Sequence, residues 1–260
     1  MHRAPAKILA LLFCCSLWSG CSTPAQPRDT LRVLSWNIHH GQGVDGALDL
    51  PRIAGIISSW EPDIVCLQEV DRQTIRAGGV DQAVELGYLL GMESAFHRCI
   101  DHQGGEYGDA ILSKFKPREV RELKLPGKLE QRGLIGVVVN LAGGPLLVCS
   151  THFDHGRDNP SRLDEARIVV DFAENAAIPV VLAGDLNALP ESEVLSTLGK
   201  VFEIPRHPAP TFPADIPERR IDYILSTHLP GWQLIETRVV PEPLASDHRP
   251  VLAIFKRIGS

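Results

Sequence analysis

An α+β domain with mixed sheets is the fold class this sequence predicts, on three observations. Strand-length apolar runs alternate with amphipathic helical stretches along residues 31–257, a pattern of sheets faced by helices. Two of the runs are joined by a glycine turn short enough for a hairpin, so antiparallel pairing accompanies the crossovers. No linker longer than a loop and no strong repeat divides the stretch, and a chain of 260 residues suits one large domain.

The elements follow in order. Residues 31–37 (LRVLSWN) read as a strand. Residues 50–60 (LPRIAGIISSW) read as a helix with Asp49 as its N-cap and with Ile53, Ile56, Ile57 and Trp60 on one face. Glu61-Pro62-Asp63 stops it, and residues 64–70 (IVCLQEV) form a buried strand. Residues 81–91 (DQAVELGYLLG) are helical and end at Gly91. Residues 108–114 and 134–140 are strands, and Ala142-Gly143-Gly144 turns the second of them into residues 145–152 (PLLVCSTH). An amphipathic helix follows over 161–175, then a buried strand over 178–187 (IPVVLAGDLN) and a short helix over 192–199. Residues 220–226 and 248–256 complete the pattern as strands.

Composition narrows the function classes. The formal charge is −6, with 44% hydrophobic and 22% charged residues. A chain this acidic does not dock on nucleic acid through bulk charge, so contact with phosphates must be local or metal-mediated. Twenty prolines and 22 glycines are dispersed, which excludes collagen-like and low-complexity readings. No apolar run reaches the roughly 18–20 residues of a membrane-spanning helix.

The first twenty residues read as an address. Arg3 and Lys7 precede an uncharged apolar stretch over 8–18 (ILALLFCCSLW), and Ser19-Gly20 lead to Cys21. Small residues before a cysteine resemble the bacterial lipobox, with Trp18 where leucine is usual. The expectation is a lipoprotein signal over 1–20, lipid attachment at Cys21, a polar tether over 21–30 and anchorage in the cell envelope. The alternative is a plain secretory signal cut nearby, with Cys21 an ordinary thiol. Processing would leave Cys66, Cys99 and Cys149. Cys66 and Cys149 lie inside apolar strand runs and read as small core residues.

The informative pattern is where polar residues fall. Asn37 follows LSW, Glu69 follows VCLQ, His152 follows VCST, and Asp185 and Asn187 come after VVLAG. Asp222 opens a further strand, and Asp247-His248 precede the last. A buried scaffold that presents a polar site looks like this. The set offers hard oxygen donors for Mg²⁺ or Mn²⁺ and imidazoles for acid–base work or anion binding. The cysteines lie apart from it, which argues against a thiolate zinc site.

In their order, LSWNI (34–38), CLQEV (66–70), GDAILS (108–113), STHFDH (150–155), AGDLNALP (183–190), RIDYIL (220–225) and SDHRPV (246–251) resemble the endonuclease/exonuclease/phosphatase superfamily of deoxyribonuclease I-like phosphohydrolases. The resemblance implies a four-layer α/β/β/α sandwich with two mixed β-sheets and a metal site at one edge. It also implies roles. Glu69 is the main metal carboxylate with Asn37 beside it, and Asp247 is a metal-side or histidine-orienting carboxylate. Asp185 positions and deprotonates the attacking water, and Asn187 donates to the phosphoryl oxygens. His152 holds the scissile phosphate or protonates the leaving oxygen, with Asp222 orienting it, and His248 stabilises charge in the transition state. His39, His40, His97, His102, His155 and His207 fall in loop-like segments and receive no catalytic role, though His102 and His155 are candidates for the rim. Asp109 stands where family members often carry Asn.

The expected activity is divalent-metal-dependent hydrolysis of a phosphodiester or phosphomonoester, with Mg²⁺ or Mn²⁺ as cofactor, by a monomer that meets the membrane only through its lipid. Aromatics make up 6% of the chain, and no basic groove with interleaved aromatics is present, so a compact phosphodiester is favoured over polynucleotide. A secreted nuclease and an inert lipid-tethered binding module are the alternatives.

Overall fold

The computed structural model describes residues 29–258, apart from 129, 157–159 and 207–208. The leader, Cys21, most of the tether and His207 therefore lie outside the described residues. The elements run β1 (Thr30–Asn37), a 3-10 turn (His39–Gly41), α1 (Leu50–Ser59), β2 (Ile64–Arg72), α2 (Gln82–Leu90), β3 (Glu93–His102), β4 (Gly105–Ser113) and β5 (Glu119–Leu125). They continue with β6 (Arg132–Leu141), β7 (Gly144–His152), α3 (Pro160–Glu174), β8 (Val180–Asp185), α4 (Glu193–Leu198), β9 (Asp222–Ser226), β10 (Trp232–Val239) and β11 (Val251–Arg257).

Two mixed sheets result, in strand order β10-β11-β1-β2-β4-β3 and β5-β6-β7-β8-β9. They pack face to face through Val33, Ile64 and Ile111 from one and Ile135, Val148 and Val181 from the other. Successive side chains on a strand point to opposite faces, so Leu34 and Trp36 of β1 turn outward. There they meet Ile53 and Ile57 of α1 and Leu86 of α2. On the far side Val169 of α3 and Leu195 and Leu198 of α4 cover Leu147, Leu182 and Leu225. Helices on both outer faces of paired sheets make the expected α/β/β/α sandwich.

Local chemistry explains the helix ends. The Asp49 carboxylate accepts the Arg52 backbone N–H at 2.9 Å, and a proline sits in the first turn of α1. The end of α2 needs a left-handed residue, which Gly91 supplies at φ 64°. Asp49→Ala is expected to cost about 1 kcal/mol, measured as a fall in unfolding midpoint with unchanged turnover.

Three strands escape the sequence reading: β3, β5 and β10. All three are sheet edges, and each is largely solvated, as the exposed Glu119 and Val120 of β5 show. An edge strand needs no continuous apolar run, and charges such as Arg121 and Lys124 discourage pairing with other chains. His97 and His102, expected in loops, belong to β3, and His39 and His40 form the 3-10 turn. The strand expected over 248–256 starts only at Val251, which leaves His248 in the loop before it. Cys66, Cys99 and Cys149 are free, and Cys66 and Cys149 are fully buried.

Candidate active site

Parallel pairing sets the location. β1 pairs with β2 and β7 with β8 in parallel, and the contact between Asn37 and Asp185 puts the ends of both pairs at the same edge of the sandwich. Asn37, Glu69, His152 and Asp185 ride on those ends. β9 runs antiparallel to β8 with Asp222 opposite Asp185, so a residue that opens a strand joins residues that close theirs. Glu69, His152, Asp185, Asn187 and His248 line one cleft of about 480 Å³, and Asn37 and Asp222 lie buried behind it.

The backbone is bent to aim these groups. β2 bulges between Leu67 and Val70, and Glu69 within that bulge is left-handed at φ 58°. His39, His40 and Asn187 are left-handed as well, at 46°, 45° and 47°. Such conformations cost energy in residues with a Cβ and collect where function requires them. A different constraint acts at Gly184, where any Cβ would collide with the Thr151 carbonyl, so glycine lets β7 and β8 bring His152 beside Asp185. The loop before β11 is pinned to β1: the Ser246 hydroxyl donates to the Asn37 carbonyl at 2.7 Å, and the Trp36 indole N–H donates to the His248 carbonyl at 2.9 Å.

Contacts among the site residues are dense. Asn37 Nδ2 donates to Glu69 Oε1 at 3.0 Å and to Asp185 Oδ2 at 3.2 Å, which joins the two sheets. Asp185 Oδ1 accepts the Asn187 backbone N–H at 2.9 Å. Asp185 Oδ2 also lies 3.5 Å from His152 Nε2 and 3.6 Å from His248 Nε2. His248 Nδ1 meets Asp222 Oδ2 at 3.0 Å, so this imidazole spans two carboxylates. Asn187 Nδ2 is 3.1 Å from His152 Nε2 and donates to the Phe153 carbonyl.

Electrostatics set the two imidazoles apart. Burial opposes a charge on His248, but the Asp222 and Asp185 carboxylates override it and lift its pKa well above the ordinary histidine value. Burial, then the Arg132 guanidinium and His248, drive His152 the other way and keep it neutral. Asp185 is raised by burial and by Asp222, with His248 pulling against them. The surroundings thus favour the charged form of His248 and the neutral form of His152.

One expectation needs correction. Asp222 does not orient His152, because the antiparallel β8–β9 register turns its carboxylate to His248. The groups at His152 are Arg132, whose Nη1 is 3.4 Å from Nδ1, together with Asn187 and Asp185. The ion-pair partner of Asp247 is His39. The aspartate sits at the margin, a third exposed, 4.0 Å from His39 Nδ1. Asp109 is buried behind the cleft wall with Cys99 Sγ 3.7 Å away, and burial pushes its carboxyl up to about 7.

Several cleft residues were invisible to the sequence reading. Arg132, Arg76, Tyr107, Phe212 and the two histidines of the 3-10 turn all line it, and His102 and His155, the rim candidates of the sequence, line it too. Arg132 opens an antiparallel strand, so it reaches this edge by its N-terminal end. Looking for polar residues at the start of apolar runs would have found it, as it found Asp222.

The donors fit a divalent cation at Glu69. Its carboxylate lines the cleft, and His39, His40 and Glu69 bring ligand atoms within 4.8 Å of one another. His40 Nδ1 is buried with no hydrogen-bond partner, an orphan that an ion would satisfy. Asp185, Asp222 and His248 cluster equally tightly, but there the imidazole already bridges both carboxylates.

Fold and cleft chemistry together are those of a class of proteins built around phosphate esters. The Endonuclease/Exonuclease/phosphatase family model matches residues 34–248, and the chain belongs to that family, whose enzymes are generally dependent on a divalent metal. Tyrosyl-DNA phosphodiesterase 2 of Mus musculus is 27% identical over 187 residues, 70% of this chain and 47% of that protein. Nocturnin of Rattus norvegicus is 27% identical over 212 residues, 68% and 47% respectively. The chain thus spans about half the length of these curated relatives. Among solved structures, an endonuclease/exonuclease/phosphatase from Beutenbergia cavernae superposes with a TM-score of 0.74 at 26% identity, covering 89% of this chain and 72% of that one.

Proposed function

We propose that the chain hydrolyses a compact phosphodiester by in-line attack of water, with a divalent cation held at Glu69. The observation that carries this reading is the Asp222–His248–Asp185 relay, a buried imidazole held between two carboxylates at 3.0 and 3.6 Å on the wall of the cleft. Asp185 accepts the proton of the attacking water. His248, kept cationic by its carboxylates, faces the charge that grows on the phosphorus oxygens and gives its proton to the leaving oxygen as the P–O bond breaks. His152 stays neutral and donates a hydrogen bond to the scissile phosphate, with Asn187 beside it. The bound cation would neutralise the phosphate and polarise it toward attack.

Cleft size and lining support the substrate class. About 480 Å³ holds a small molecule, and Arg76, Arg132 and several imidazoles suit an anion. The test assays bis-p-nitrophenyl phosphate, p-nitrophenyl phosphate, sphingomyelin and supercoiled plasmid with Mg²⁺, Mn²⁺ or EDTA. Diester turnover that EDTA abolishes, and that His248→Ala lowers by roughly 10²–10⁴-fold, is the expected result. Plasmid nicking as the preferred reaction would move the protein to the nucleases, and turnover undiminished by His248→Ala would refute the mechanism.

A further inference from the structure

His39 and His40 take no part in the hydrolytic steps assigned so far, yet the chain bends twice to bring them to the cleft. Both adopt left-handed backbone immediately after β1, and Glu69 does the same in its bulge. Three residues with side chains in that conformation converge on one pocket wall, with ligand atoms within 4.8 Å of one another. The first imidazole is already oriented. His39 Nδ1 lies 3.2 Å from the Gln42 carbonyl oxygen. A carbonyl only accepts, so Nδ1 carries the proton and Nε2 keeps its lone pair. A carbonyl behind a metal-bound histidine acts in this way. The second imidazole has a buried Nδ1 without a hydrogen-bond partner.

We propose that His39, His40 and Glu69 form one metal site of mixed nitrogen and oxygen donors, which selects Co²⁺ or Zn²⁺ ahead of Mn²⁺, and Mn²⁺ ahead of Mg²⁺. The inference rests on the reading of Glu69 as the metal carboxylate and specifies the ion. Mg²⁺ is hard, prefers oxygen and keeps much of its water, so imidazoles add little to its binding. Later first-row ions gain from each imidazole, in the order in which divalent affinities rise along the row. The consequence is a phosphoesterase whose loaded metal follows transition-metal supply rather than the abundant Mg²⁺.

The test reads binding without turnover. Co²⁺, Zn²⁺ and Mg²⁺ affinities are measured by calorimetry on the metal-free protein, and bound Mn²⁺ is examined by pulsed electron paramagnetic resonance for coupling to ¹⁴N. The variants are His39→Asn, His40→Asn and Glu69→Gln. Asparagine tolerates the left-handed region, so the turn keeps its path while the imidazole goes. Circular dichroism checks that each variant is folded. The expected result is nitrogen coupling that each His→Asn variant weakens. Co²⁺ affinity falls roughly 10–100-fold in each of them, and Mg²⁺ affinity is nearly unchanged. Bound Mn²⁺ without nitrogen coupling, or equal affinity for Co²⁺ and Mg²⁺, overturns the proposal and leaves Glu69 as a metal carboxylate intact. Co²⁺ binding that survives Glu69→Gln undiminished overturns both.

Discussion

Asp185→Asn is expected to stop turnover and to make the metal-free protein harder to unfold. The loss follows from removing the base: asparagine keeps the shape and the hydrogen bond from the Asn187 N–H but cannot take a proton from water, which costs roughly 10²–10⁴-fold. The gain follows from linkage. In the unfolded chain Asp185 has an ordinary carboxylate pKa, whereas in the fold burial and Asp222 raise it. Between those two values the native state binds more protons than the unfolded one, so stability falls as pH rises through that window. Above the window the whole penalty is present, and asparagine relieves it. The unfolding midpoint at pH 8 should therefore rise by several degrees, and the difference should vanish below about pH 3, where wild-type Asp185 is protonated in both states. A variant less stable than wild type at pH 8 would show that the His248 attraction outweighs burial.

Trp36→Ala should be among the most damaging single changes in the molecule. The indole is fully buried at the junction of β1 and α1, and truncating a buried tryptophan typically costs about 3–5 kcal/mol through lost contacts and the cavity left behind. The same ring holds the backbone of His248 through its N–H. Trp36→Phe separates the two roles, because it keeps most of the packing and removes the donor. Chemical denaturation should show a much smaller loss for phenylalanine than for alanine, while kcat falls several-fold in both. Full activity in Trp36→Phe would mean that Ser246 alone positions the loop.

These effects trace what the residues made legible. The interior strands were readable because both faces of β1, β2, β7 and β8 are covered, which forces continuous apolar runs with a polar residue where each run meets solvent. β9 was readable for the same reason although it is an edge, since every one of its residues is buried. β3, β5 and β10 carry no such requirement, and their sequences show none. Which carboxylate serves which histidine was not readable. Asp222 reaches His248 across 26 positions through the β8–β9 register and a loop tied to β1 by Ser246, and no local pattern encodes that. His39 and His40 were passed over because a short turn after a strand has no periodicity to report. Their left-handed backbone is a property of the fold.

The Asn37 amide that joins Glu69 on one sheet to Asp185 on the other has a consequence for how activity arises. Beneath it, Gln68 of β2 donates to the Ser150 hydroxyl of β7 at 2.9 Å, a second tie across the same seam. On the proposed mechanism each layer holds only a share of the reaction: one carries the carboxylate for the cation, the other the base, its relay aspartate and the neutral imidazole. A fragment or half-assembled chain with either layer intact would have nothing to catalyse with. Competence is all-or-none in assembly, and the appearance of turnover during refolding times the moment when the two halves of the molecule come into alignment.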